Sequence, residues 1–211
     1  MSVAHPETAV AAIAAEGVDV RYHGGPEPAV RDVSFTLRPG EGLMVSGPAG
    51  AGKTSLLRGI LGLVAHRGRL EVLGGAPGGP LMLGRAGYGP QGAGFAAGLR
   101  VGETARLVAS LRGGGSAEAA SALDAAGLSY VARWRTSRLD AEGWRRLSLA
   151  VAVAGDPELV LLDDPWVLRE TIAAIQAARE RGAAVVVAAR RPAGLAPLLG
   201  RRITLRDGVP E

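Results

Sequence analysis

Cysteine is absent from the 211 residues, which removes disulfide staples, thiolate metal sites and cysteine nucleophiles from consideration and agrees with a reducing compartment. Asparagine is absent as well. Long apolar runs are missing: the longest, Leu147 to Ala154 and Ala183 to Ala189, fall well short of the ~18 residues that cross a bilayer, so no direct membrane span is expected. The segment Met1 to Ala15 has no basic stretch ahead of its short apolar part, so no secretory leader is expected and the cytosolic side is the expected location. No dense basic tract occurs either. The net charge of +4 is scattered over arginines, and a nucleic-acid partner is not implied. What remains is 47% hydrophobic and 21% charged, the balance of a chain that folds. It is long enough to bury a core without staples, and one unit spanning residues 1–211 is expected.

Lysine is the next scarcity. Of 24 basic residues only Lys53 is a lysine, so a sequence that otherwise uses the planar guanidinium fork needs a compact ammonium at that point. Its surroundings say why. Gly47-Pro48-Ala49-Gly50-Ala51-Gly52-Lys53-Thr54 is a G-x-x-x-x-G-K-[ST] loop, with strand-like Leu43 to Ser46 before it and helix-like Leu56 to Leu61 after it. Glycines in such a loop let successive N–H groups and a helix N-terminus face phosphate oxygens. Lys53 then reaches the β- and γ-phosphates, Thr54 offers a hydroxyl to Mg²⁺, and Ser55 closes the cradle. A second metal carboxylate is expected at Asp163, which ends the apolar run Leu159-Val160-Leu161-Leu162 as a buried parallel strand would.

The order of the remaining motifs selects among phosphate-binding families. Guanine-specific GTPases need an N-K-x-D element that a chain without asparagine cannot supply. Small-molecule kinases carry an arginine-bearing lid, and the Arg133 to Arg138 cluster leaves that alternative open on composition. Three further segments carry a resemblance: Val20-Arg21-Tyr22 with the alternating Val30 to Leu37, Ala86-Gly87-Tyr88-Gly89-Pro90-Gln91, and the helix-like stretches from Val101 and from Ala117 to Ala126 on either side of Gly113-Gly114-Gly115. With the phosphate loop they resemble the ATP-binding subunits of ATP-binding cassette (ABC) transporters over about Gly17 to Glu211.

The resemblance implies an α/β fold: a mixed core sheet with flanking helices, an antiparallel β-lobe around the phosphate loop, and a small helical lobe at about 101–143. It implies ATP and Mg²⁺ as ligands, Tyr22 stacking on adenine, and Gln91 reaching the metal and the attacking water. It also implies two partners, a transmembrane permease subunit and a second ATP-binding cassette, with the chain peripheral on the inner face of the cell membrane.

Four positions depart from the family pattern. Leu139-Asp140-Ala141-Glu142-Gly143 stands where the family has its L-S-G-G-Q signature, ahead of a helix expected from Trp144 to Ala154, so carboxylates are expected beside the phosphate held by the opposite subunit, opposing closure. Asp164 replaces the catalytic glutamate with a stem one methylene shorter, and a ~1 Å misplacement at a reacting centre costs on the order of 100-fold. Pro165 to Glu170 lacks the loop that joins the two composite sites. Arg190 occupies the switch-histidine position; it can hold a γ-phosphate but cannot shuttle a proton near neutral pH. The expectation is an ATPase that is slow alone, energising transport through a permease, or a catalytically weak regulatory subunit of a heterodimeric pair; a small-molecule phosphotransferase is the third reading.

Overall fold

The computed structural model describes residues 10–92, 98–191 and 194–211. Residues 1–9, and with them His5 and the start of the segment read above for a leader, lie outside the described residues.

Two sheets form the scaffold. In the first, β1 (Ile13–Arg21) lies between β2 (Val30–Leu37) and β4 (Ala65–Val72), antiparallel to both. Between β2 and β4 in sequence come β3 (Gly42–Ser46) and helix α1 (Lys53–Ile60). The second sheet is six-stranded in the order β5-β6-β7-β3-β8-β9, where β5 is Ala86–Gly89, β6 Leu159–Asp163, β7 Ala184–Ala189, β8 Gly200–Arg206 and β9 Val209–Pro210. All its pairings are parallel except β8 with β9.

Parallel strands covered on both faces should be apolar at every position, because alternate side chains meet different layers. That is what β6 and β7 show. Leu159, Leu161, Ala184, Val186 and Ala188 pack with α1 and the three-stranded sheet. Val160, Leu162, Val185, Val187 and Ala189 pack with the helices on the other face.

Those helices are α2 (Val101–Leu111), α3 (Ser116–Ala125), α4 (Ala141–Val153) and α5 (Arg169–Glu180), with a short α6 (Ala196–Leu199) near the end. Glutamates in the first turns of α2 and α3 accept the backbone N–H ahead of each helix: Arg100 N–H donates to Glu103 at 2.7 Å and Gly115 N–H to Glu118 at 2.7 Å. The glycine run 113–115 joins α2 to α3, as its composition predicts.

α4 runs unbroken from Ala141 to Val153 and carries the chain from the expected helical lobe down onto the sheet. Asp140 caps it, so it begins ahead of the predicted start at Trp144. The seating of α4 is set by glycines in β5. A Cβ on Gly87 would lie 1.9 Å from the Ala152 carbonyl oxygen, and one on Gly89 would lie 3.0 Å from that of Ser148. Only a bare backbone strand lets the helix approach so closely.

Arg112 fastens the same junction. Its guanidinium donates to the Val151 and Ala154 carbonyls at the end of α4 and to Ala86 at the start of β5. Burial lowers its pKa to about 10, and it stays cationic against the negative end of the α4 dipole.

Candidate nucleotide site

The phosphate loop leaves β3 at Ser46 and enters α1 at Lys53. Two glycines are required by contact as well as by conformation. A Cβ on Gly47 (φ 148°) would meet the Leu205 carbonyl oxygen at 2.2 Å, and one on Gly52 (φ 93°) would meet that of Ala29 at 2.5 Å. At Gly50 (φ 81°) a Cβ would meet nothing, so glycine there serves only the left-handed turn. The N-terminus of α1 has no side-chain cap and no acidic residue in its first turn, which leaves its free N–H groups and positive dipole end open to an anion.

Four loops converge on that helix end because β3, β5, β6 and β7 are parallel and their C-terminal ends share one edge of the sheet. β6 delivers Asp163, β7 delivers Arg190, and β5 delivers Gln91. Residues 49–55 with Gln91, Asp163, Asp164 and Arg190 line a cleft of ≈ 230 Å³.

Lys53 Nζ donates to the loop's own carbonyls, Gly47 at 2.9 Å and Pro48 at 2.6 Å. Burial lowers its pKa, opposed by the negative charges of Asp164 and Asp163. Thr54 Oγ1 donates to Asp163 Oδ1 at 3.1 Å, and the Tyr88 hydroxyl donates to Asp163 Oδ2 at 3.4 Å. Burial raises the Asp163 pKa, and these two hydrogen bonds pull it back.

Asp164 sits in the left-handed region (φ 48°) with its amide on the Ala188 carbonyl at 2.7 Å. One carboxylate oxygen, Oδ2, accepts from Gln91 Nε2 at 2.9 Å and from Arg190 Nη2 at 3.2 Å. Its own carbonyl accepts from Arg145 Nη1 at 2.9 Å, and the Arg145 guanidinium lies 4.8 Å from the centre of the Trp166 ring. Arg145 therefore ties α4 to the loop after β6.

Tyr22 follows β1, with its hydroxyl accepting from Ser55 Oγ at 3.3 Å and Arg58 Nη1 at 3.3 Å. The expected base-stacking ring thus stands beside the first turns of α1, with 37% of its surface exposed.

Residues 139–143 are not among those lining the cleft; they form the start of α4. Their carboxylates are already engaged. Asp140 Oδ1 accepts from Gly143 N–H at 2.8 Å, and Glu142 pairs with Arg146 at 2.9 Å, which also reaches Glu170 at 3.2 Å. The expectation of two carboxylates aimed outward at a partner's phosphate is refined accordingly: Asp140 neutralises its own helix end, and Glu142 turns along the helix.

Sequence reading assigned no role to Tyr88, Arg58 or Arg145. Tyr88 lies inside the hexapeptide that ends in Gln91, and its signal was a single aromatic between two glycines.

Residues 30–167 match the family model for ABC transporters. The chain belongs to the ABC transporter ATP-binding family. Similar curated proteins include the zinc import ATP-binding protein ZnuC of Paracoccus denitrificans, 37% identical over 145 residues covering 68% of this chain and 53% of that protein. Another is the fluoroquinolones export ATP-binding protein of Mycobacterium tuberculosis, 32% identical over 167 residues covering 78% and 56%. The chain thus spans little more than half the length of the curated relatives it matches. Among solved structures, an ATP-binding subunit of an ABC transporter superposes with a TM-score of 0.84 at 18% identity, covering 94% of this chain and 87% of that one. A dimeric cassette bound to ADP and Pi superposes at 0.83 and 23% identity, covering 94% and 96%. These likenesses carry the fold, which is the ABC ATPase fold with its mixed parallel sheet, helices and antiparallel β-subdomain. Among the described residues no helix is long and apolar enough to cross a membrane.

Proposed function

We propose that the chain is an ATP-binding, slowly hydrolysing subunit that works with a separate transmembrane permease subunit and a second cassette on the cytoplasmic face of a membrane. The observation that carries this reading is the uncapped N-terminus of α1, which opens with Lys53 and Thr54 and shares one cleft with Asp163 and Gln91. The donor set suits both ligands: backbone N–H groups and an ammonium for phosphate, hydroxyl, carboxylate and amide oxygens for a hard cation.

In this reading Lys53 exchanges its two loop carbonyls for phosphate oxygens. Thr54, Asp163 and Gln91 hold Mg²⁺, which when bound spreads the charge developing on the γ-phosphate. Tyr22 takes the adenine face. Asp164 is the candidate base for the attacking water, and the slow rate follows from its partners. A carboxylate whose Oδ2 already accepts from Gln91 and Arg190 is a weaker base toward a water than a free one, because donors stabilise its charged form, and its stem is short for the task. Arg190, released from Asp164, is positioned to hold the γ-phosphate.

A second reading, a regulatory subunit in a heterodimeric pair, is favoured by one observation. The end of α4 that would serve the partner's phosphate is capped by the Asp140 carboxylate. A homodimer would then contain two impaired sites, whereas a partner with a working signature would restore one.

The experiment is Mg-ATP affinity and steady-state hydrolysis on the purified chain, Lys53→Ala and Asp164→Asn. Lys53-dependent binding with turnover near background is the expected result. Brisk turnover by the chain alone, abolished by Asp164→Asn, would overturn the slow-site reading; absence of Lys53-dependent binding would overturn the nucleotide site itself.

A further inference from the structure

Tyr22 and Asp163 serve opposite ends of the proposed nucleotide site, the base and the metal, yet side chains connect them. Arg58, on α1, donates through Nη1 to the Tyr22 hydroxyl at 3.3 Å, and its positive charge also acts on Tyr88. Tyr88, on β5, donates in turn to Asp163 Oδ2 at 3.4 Å. The other carboxylate oxygen takes Thr54 at 3.1 Å, and Ser55, the next residue, donates to Tyr22 at 3.3 Å. The ring of contacts closes through the first turn of α1.

The direction of donation gives the chain a physical sense. A cation that donates to one phenol, Tyr22, also acts on a second, Tyr88, which donates to the carboxylate, so the guanidinium charge polarises the Tyr88 donor. A phenol keeps its proton throughout the neutral range, so the Tyr88 hydroxyl is a donor to Asp163 Oδ2. Asp163 is 4% exposed, and for so buried a carboxylate the loss of one donor is not made good by water.

We infer that Arg58 and Tyr88 are positioning residues that couple the base-stacking tyrosine to the metal-binding carboxylate, so that docking of a nucleobase strengthens the hold on the divalent cation. This rests on the nucleotide-site reading above and adds to it a preference for base-bearing triphosphates when metal is present.

The probe is a fluorescent ATP analogue titrated into the chain with Mg²⁺ and with EDTA; the ratio of the two dissociation constants is the metal enhancement. Tyr88→Phe and Tyr22→Phe each remove one hydroxyl and leave the ring, so folding and stacking survive. Tyr88→Phe is expected to cut the enhancement about tenfold or more, the scale of one hydrogen bond to a charged group, leaving affinity in EDTA unchanged. Tyr22→Phe is expected to cut it about two- to threefold, and the double variant to lose no more than Tyr88→Phe alone. Arg58→Met should match Tyr88→Phe. The enhancement should also be smaller for inorganic tripolyphosphate, measured by displacement, than for ATP.

Multiplying effects in the double variant, or an unchanged enhancement in Tyr88→Phe, would overturn the coupling while leaving the site intact. A wild-type chain with no Lys53-dependent ATP binding would overturn the coupling and the site together.

Discussion

Asp140 offers the sharpest separation between a structural and an electrostatic role. Its carboxylate caps α4 through a 2.8 Å hydrogen bond from Gly143 N–H. Loss of such a cap costs ~1 kcal/mol, whereas serine caps about as well as aspartate. Asp140→Ala is therefore expected to unfold at lower urea by ~1 kcal/mol and Asp140→Ser to stay within ~0.5 kcal/mol of wild type. The consequence for assembly runs the other way. Two like unit charges about 5 Å apart repel by about 3 kcal/mol at an effective dielectric near 20, solvent screening reduces this by half or more, and in the proposed dimer the Asp140 charge opposes the partner's γ-phosphate in this sense. Removing that charge while keeping the cap should strengthen ATP-driven association about tenfold. The assay is sedimentation velocity across an ATP titration in an Asp164→Asn background, where hydrolysis does not discharge the dimer. Equal stability of Asp140→Ala and wild type would refute the cap. A change under twofold in association of Asp140→Ser would refute the electrostatic argument.

Three other outcomes follow from particular contacts. Gly87→Ala drives a methyl to 1.9 Å from the Ala152 carbonyl oxygen, so α4 must lift from β5; a loss of ~2–3 kcal/mol is expected in denaturant unfolding, with weaker Mg-ATP binding through displaced Gln91. Arg190→Met breaks an ion pair whose arginine is 57% exposed, so stability should change by under ~1 kcal/mol while the preference for ATP over ADP falls about five- to tenfold in equilibrium binding. The hydrogen bonds from Arg85 hold the Glu158 carboxyl below its usual value of 4.5. A depressed folded-state value gives stability that is present above pH ~4.5 and lost as pH falls through the folded pKa. Arg85→Met should therefore destabilise more at pH 7 than near pH 3, where only the bonds from Arg85 to the Leu73 and Leu81 carbonyls are left to lose, read by thermal melts across that range.

The strands that carry the cleft were legible because their burial is two-sided. Leu159 to Leu162 and Val185 to Ala188 are apolar without alternation, and a parallel strand between two layers has no solvent face to mark. The phosphate loop was legible because close backbone approach at Gly47 and Gly52 tolerates no side chain, and that constraint is written as glycine spacing. β4 was not legible: Ala-His-Arg-Gly-Arg-Leu-Glu-Val buries only Leu70 and Val72 and holds its place by pairing with β1, a contact made about fifty residues away in sequence. The start of α4 was misplaced for a different reason. Asp140 was read for the charge it would show a partner, when an aspartate two residues ahead of Glu142 is equally a cap, and the hydrogen bond to Gly143 decides for the cap.

The same distinction between intrinsic character and contact governs the site. Lys53, Thr54 and Asp163 could be named from spacing, since backbone geometry alone fixes where a residue before or inside a helix start must point. Arg58 and Tyr88 could not, because their role exists only where α1 and β5 meet around Asp163, with Tyr88 and Asp163 separated by 75 positions. Asp164 lies between these cases. Its identity suggests a shortened base, whereas the convergence of Gln91 and Arg190 on one of its oxygens is visible only in the fold. If donor occupancy limits the rate, removing Arg190's charge should relieve it even though the stem stays short. If stem length limits it, only Asp164→Glu should raise turnover. The two substitutions measured side by side, at saturating Mg-ATP, separate the causes that the sequence had merged into one.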